Sequence, residues 1–233
     1  VFFGTCSYSQ GLVIHSKDGS STTHSLALID SITFILIPQQ ILFFDDFEGG
    51  NLNGYDIPLG HTPPELTSIA SFSQSNSVTL ISPRNNYSVM GRPLSPPVSN
   101  NIIGYNCKMM KNNLSDQSNM MILLFTGSVS SEKEIVLGFN VDSIFIAIQN
   151  NSNPGEDRYL TFGPIQENRW YDFSIEYNFA TQKCSFFIDG VKIYDSNYTV
   201  SSIDYFYLGD YGSDNPPELD KVLFIDDIKL YKR

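Results

Sequence analysis

Short apolar alternations, punctuated by Gly, Pro, Asn, Asp and Ser, recur along most of this 233-residue chain, and helical periodicity is nearly absent. Period two places successive side chains on opposite faces of a half-buried strand, so the pattern predicts an all-β, mainly antiparallel architecture. The clearest expected strands are Gly11 to His15, Leu26 to Asp30, Ser31 to Ile37, Ile41 to Phe47, Ser77 to Ile81, Met120 to Thr126 and Glu134 to Asn140. Further strands are expected at Ser143 to Gln149, Tyr159 to Gly163, Trp170 to Tyr177, Lys183 to Ile188, Val191 to Tyr194, Tyr205 to Leu208 and Val222 to Tyr231. Hydrophobic residues at 41% and aromatics at 13% supply the surface for a core, which sets the disordered class aside.

Local turn chemistry fixes some connections. Lys17-Asp18-Gly19-Ser20 lies between two strand-like runs, and Asp189-Gly190 joins Phe186-Phe187-Ile188 to Val191-Lys192-Ile193. Both read as tight hairpins; Asp-Gly supplies the positive φ angles of a two-residue type I′ turn. Residues 48 to 76 and 83 to 119 hold Gly49-Gly50, Pro63-Pro64 and Pro96-Pro97 with little periodicity, and are expected as long loops. Residues 1 to 40 are expected either to add strands to the same sheet or to form an apolar arm. Such an arm could donate a strand to a neighbouring subunit. Residues 41 to 233 are expected to be one domain, with no internal repeat.

The net charge of -11 repels phosphate and removes nucleic acid from the expected partners. It suits solubility outside the cell or cation binding. The most apolar stretch, Ile32 to Phe44, is interrupted by Pro38, Gln39 and Gln40 and falls short of the ~20 residues of a membrane helix, so no membrane span is expected. Cys6, Cys107 and Cys184 match no zinc spacing and allow at most one disulfide within the chain. Cys184 alternates with Phe186 and Ile188 and reads as a small buried hydrophobe. The sequence opens at Val1, which fits a processed protein with its signal peptide removed. N-x-S/T sequons at Asn86, Asn113, Asn150 and Asn197 fit an extracellular or cell-surface glycoprotein, although matches arise readily in a chain this rich in Asn and Ser.

Four segments resemble the concanavalin A-like, or laminin-G-like, jelly-roll superfamily of glycan-binding modules and glucanases. They are Phe44-Asp45-Asp46-Phe47-Glu48-Gly49 with Leu52-Asn53-Gly54, Asn168 to Ile175 led by Trp170, Cys184 to Gly190, and the closing Phe224-Ile225-Asp226-Asp227-Ile228-Lys229-Leu230-Tyr231. The resemblance covers residues 41 to 233 and implies an antiparallel β-sandwich of jelly-roll type whose first and last strands pair. It would then crowd Asp45, Asp46 and Glu48 against Asp226 and Asp227, where a structural Ca²⁺ could relieve the repulsion. Strand alternation argues the other way, sending members of each pair to opposite faces.

For a glycan ligand, Ile203 to Tyr211 offers aromatic rings beside polar groups. Tyr205 and Tyr207 fall on one face, Phe206 and Leu208 on the other, with Asp210, Tyr211, Asp214 and Asn215 placed to complete a ligand site. The alternative is that these tyrosines only cover the edge of the core. Trp170 reads as a packing residue. The glucanases of the superfamily carry E-x-D-x-E on one strand; Glu218-Leu219-Asp220 is the nearest approach and lacks the final glutamate. His15, His24 and His61 all lie in the first third of the chain, without a G-x-S-x-G elbow or an H-E-x-x-H motif. The expected function is therefore non-catalytic binding of carbohydrate or another surface ligand. The rivals are a structural subunit of a filament, coat or adhesin joined through residues 1 to 40, and a divergent glycoside hydrolase.

Overall fold

A computed structural model describes residues 11–15, 21–25, 39–57, 62–80, 88–112, 120–126, 133–140, 142–150, 158–210 and 223–233. The chain divides into two compact units, Val1–Pro38 and Gln39–Arg233. In the first, β1 (Gly11–His15) and β2 (Ser21–Ser25) form a two-stranded antiparallel sheet of their own, with His15 opposite Ser21. The hairpin expected around Asp18-Gly19 therefore exists, and its connecting residues, like the strands expected over 26–37, lie outside the described residues.

The second unit is a sandwich of two antiparallel sheets, and every regular element among its described residues is a strand. In chain order these are β3 (Gln40–Asp45), β4 (Glu65–Thr67), β5 (Ser77–Leu80), β6 (Ser88–Val98), β7 (Ile102–Lys111), β8 (Met120–Thr126) and β9 (Lys133–Asn140). They continue with β10 (Ser143–Asn150), β11 (Arg158–Pro164), β12 (Trp170–Asn178), β13 (Lys183–Ile188), β14 (Val191–Asn197), β15 (Ile203–Asp210) and β16 (Leu223–Lys232). One sheet has six strands in the order β11-β10-β9-β8-β15-β6; the eight-stranded sheet runs β14-β13-β12-β7-β16-β5-β4, with β3 also paired to β16. The first and last strands of this unit do pair, Ile228 opposite Asp45 and Leu230 opposite Phe43.

The core lies between the sheets and follows the alternation. Tyr171, Phe173, Ile175 and Tyr177 of β12 point inward against Ile135, Leu137 and Phe139 of β9 and Phe206 and Leu208 of β15, all in one buried cluster. Phe139 meets Phe173 edge to face at 4.9 Å between ring centres, the geometry aromatic quadrupoles favour. Cys107 and Cys184 are free thiols buried in this core, as expected of Cys184. At the β13–β14 turn both Asp189 (φ 51°) and Gly190 (φ 76°) have positive φ, the type I′ geometry expected there.

Two expected loops prove to be partly strand. β4 lies within 48–76, and β6 and β7 fill much of 83–119. In β7 the buried positions Ile103, Tyr105, Cys107 and Met109 alternate as a strand requires. β6 contains Pro93, Pro96 and Pro97, which a central strand would not tolerate. It is the edge of the six-stranded sheet, paired as a strand only with β15 and bridged on its other side only at Ser88 and Gly91, before the prolines, so the missing N–H donors cost little.

Candidate functional site

Alternation gives the six-stranded sheet a second, outward face. Because Phe206 and Leu208 enter the core, Tyr205 and Tyr207 lie on the other side with Val89, Val136, Ala147 and, at its margin, Phe145. Strand register lines these positions into rows. One row runs Tyr159, Ala147, Val136, Leu123, Tyr207, Gly91 from β11 to β6. On one side of it lie Thr161, Phe145 and Gly138; on the other, Gln149 pairs with Glu134 and Phe125 with Tyr205.

The two ends of this face differ. At the β6 end the rings of Tyr205 and Tyr207 stack at 4.4 Å and lie over Gly91, whose absent side chain makes the room: a Cβ there would stand 2.5 Å from both rings. The Tyr205 hydroxyl reaches past β6 and donates to Asp56 Oδ2 at 3.0 Å, and the backbone of Asp56 bridges to Gly91. Burial and the Asp56 carboxylate both hold the Tyr205 phenol above its ordinary pKa, so it stays a donor. Tyr205 and Tyr207 are 8% and 3% exposed: they share a face as expected, but as a packed floor rather than an open platform. The side chain of Asp210 and all of Tyr211, Asp214 and Asn215 lie outside the described residues.

The β11 end is open. Tyr159 is 61% exposed, and its hydroxyl accepts a hydrogen bond from Gln149 Nε2 at 2.6 Å on the neighbouring strand. Thr161 is also exposed, Phe145 is half-buried, and Glu134 stands in the row beyond Gln149. An aromatic ring flanked by amide, hydroxyl and carboxylate groups can hold a polyhydroxylated ligand by its apolar C–H face and its hydroxyls together. This cluster was not picked out in the sequence, although Tyr159-Leu160-Thr161-Phe162-Gly163 alternates polar and apolar and so signals that Tyr159 and Thr161 share an outward face.

Of the five acidic residues expected to hold calcium, Asp226, Asp227, Glu48 and, through Gln74 Nε2 at 3.5 Å, Asp46 meet one segment, residues 71–76, whereas Asp45 does not. Asp226 Oδ2 accepts the N–H groups of Phe72 (2.8 Å) and Ser73 (3.0 Å), while Asp227 Oδ1 accepts the Ser73 hydroxyl at 2.7 Å. Adjacent residues of a regular strand would point to opposite faces. Here a bulge against β7 between Asp226 and Lys229, with Asp227 at φ 49°, turns both toward Ser73. Glu48 Oε1 accepts Ser75 N–H (2.9 Å) and Asn76 N–H (2.7 Å). Asp45 and Asp46 each cap their own turn, accepting the N–H of Phe47 (2.8 Å) and Glu48 (3.2 Å) respectively. These oxygens accept N–H groups and, at Asp227, the Ser73 hydroxyl, and no three His, Cys, Asp or Glu side chains among the described residues are grouped to hold a metal ion. Burial raises the pKa of both Asp45 and Asp226, opposed by their backbone N–H partners.

This clamp holds Phe72 edge-on to Trp170, 6.0 Å between ring centres, under the Lys108 ammonium at 4.6 Å. Trp170 is thus on the outward side of β12, opposite the core residues Tyr171 and Phe173, and packs against a loop instead of the core. Of the sequons, Asn197 is exposed at the end of β14, Asn150 ends β10, and Asn86 and Asn113 lie outside the described residues.

No protein-family model matches the chain, and no curated protein matches it. Solved structures do match its fold. A carbohydrate esterase from the Shiga toxin-encoding bacteriophage phi24B superposes with a TM-score of 0.62 at 13% identity, covering 84% of this chain and 100% of that one. The Bacillus licheniformis β-glucanase gives 0.57 at 11% identity, covering 82% and 97%. The CBM2 module of the evolved Dit protein of Lactobacillus casei BL23 phage J-1 gives 0.57 at 13% identity, covering 83% and 96%. At these identities the likeness concerns the fold: the domain is an antiparallel jelly-roll sandwich.

Proposed function

We propose that Gln39–Arg233 is a non-catalytic carbohydrate-binding module of the concanavalin A-like kind, working outside the cell or at its surface. Its ligand lies on the outward face of the six-stranded sheet at the β10–β11 end. The observation that carries this reading is Tyr159, a large ring left 61% exposed on a strand face and steadied by Gln149. Phe145, Thr161 and Glu134 surround it in register. Fold neighbours described as a carbohydrate esterase, a β-glucanase and a CBM2 module point to the same ligand class.

Binding is favoured over hydrolysis by what the strands present. Two-carboxylate glycosidases need a second acid about 5 to 9 Å from the first. On β9 the outward positions are Glu134, Val136 and Gly138, on β10 Phe145, Ala147 and Gln149, and on β15 Tyr205, Tyr207 and Gly209. Glu134 has no acidic companion among these positions. A glycan array probed with the wild-type chain and with Tyr159→Ala tests the proposal: binding to a defined set of glycans, lost in the variant, is expected. Equal binding by both would remove the site.

A further inference from the structure

A groove of about 480 Å³ opens at the opposite side of the same domain, between β3 at the edge of one sheet and β6 at the edge of the other. That volume suits a ligand of a few sugar rings. Two cations line it, Arg92 and Lys232, in a chain whose net charge is -11. Elsewhere in the domain Lys108, Arg169, Lys192 and Arg233 each pair with a carboxylate. Among the described residues Arg92 and Lys232 make no such pair, nor do Lys183 and Lys229, which do not line the groove.

Arg92 is also held in place. Its guanidinium lies 4.6 Å from the centre of the Phe43 ring, a cation–π contact, and against Gly54, where a Cβ would stand 3.0 Å from Nη1. Asp45 lies within its electrostatic reach without forming an ion pair. A guanidinium fixed on an aromatic face keeps its planar fork of donors for a carboxylate. Gln40, Ser99 and Asn100 add exposed amide and hydroxyl groups on the groove wall, suited to sugar hydroxyls.

We infer that this groove is a second ligand site, selective for a carboxylate-bearing saccharide, with Arg92 on the carboxylate and Lys232 reinforcing the charge. The saccharide half of the assignment rests on the carbohydrate reading above; the charged half rests on the groove alone. Calorimetric titration of the full chain with trigalacturonate, 3′-sialyllactose, methyl-esterified trigalacturonate, a neutral trisaccharide and a hexaglutamate peptide tests it. At least one of the two acidic saccharides should bind. Its affinity should fall tenfold or more in Arg92→Gln and several-fold in Lys232→Gln, and weaken with salt, whereas Tyr159→Ala should leave it unchanged. If the acidic saccharide is trigalacturonate, its methyl ester should not bind.

The inference is overturned if neither acidic saccharide binds, if the ester binds as well as the acid, if hexaglutamate binds as tightly as either saccharide, or if both charge variants bind like wild type. Should Arg92→Gln not fold, Lys232→Gln and the ester decide the matter. Neutral-glycan binding lost in Tyr159→Ala but kept in Arg92→Gln separates the two sites. Failure of the outward face therefore leaves the groove result readable.

Discussion

At Gly91 the sequence offers only a small residue in a proline-containing run, yet the structure makes it a contact point for two tyrosine rings. A methyl group there would stand 2.5 Å from Tyr205 and Tyr207, so Gly91→Ala is expected to destabilise the domain by about 1–3 kcal/mol. Urea unfolding measures this, and an unchanged midpoint would mean the rings do not rest on β6. Asp226 makes a second residue-level case. Its folded pKa lies above the ordinary carboxylate value because burial outweighs its N–H partners. The folded state therefore binds the proton more tightly than the unfolded one. The group's contribution is greatest below its unfolded pKa and is lost as pH rises through the folded pKa. Compared with the non-titrating Asp226→Asn, the wild type should lose relative stability as pH rises through that window; a relative gain would contradict the burial argument.

Element by element, what could be read from the sequence depended on which sheet position a strand occupies. β12 and β13 were legible because their buried faces are continuous and Asp189-Gly190 marks the turn that follows. β7 carries an equally regular buried face, but Gly104, Asn106 and Lys108 on its other side and the Ser- and Asn-rich flanks gave it the look of a loop. β6 was hidden for a stronger reason: its three prolines are permitted only by its edge position, a tertiary fact. The acidic residues were legible as a cluster and not as a clamp, since the bulge at Asp227 and the return of residues 71–76 to meet it have no local signature. Because these carboxylates already accept N–H and O–H groups, chelation by EDTA is expected to leave the melting temperature unchanged. A calcium-dependent rise in melting temperature that Asp226→Asn abolishes would instead assign these residues to a cation.

For the whole domain, the closure of the sandwich by its own first and last strands was the most legible feature, carried by motifs at both ends of the same unit. The binding face was far less so. Its rows run over β8 to β11, which follow one another in the chain, and then over β15 and β6, which join them from distant segments. Tyr205 and Tyr207 were assigned to the right face, but their burial follows from Gly91 and Asp56, more than a hundred residues earlier. The measurement that tests the account most directly is an amide chemical-shift titration of the labelled protein with the strongest neutral glycan from the array. The account predicts that the shifts concentrate on Phe145, Ala147, Gln149, Tyr159 and Thr161. Shifts confined to the eight-stranded sheet, with β10 and β11 silent, would contradict it.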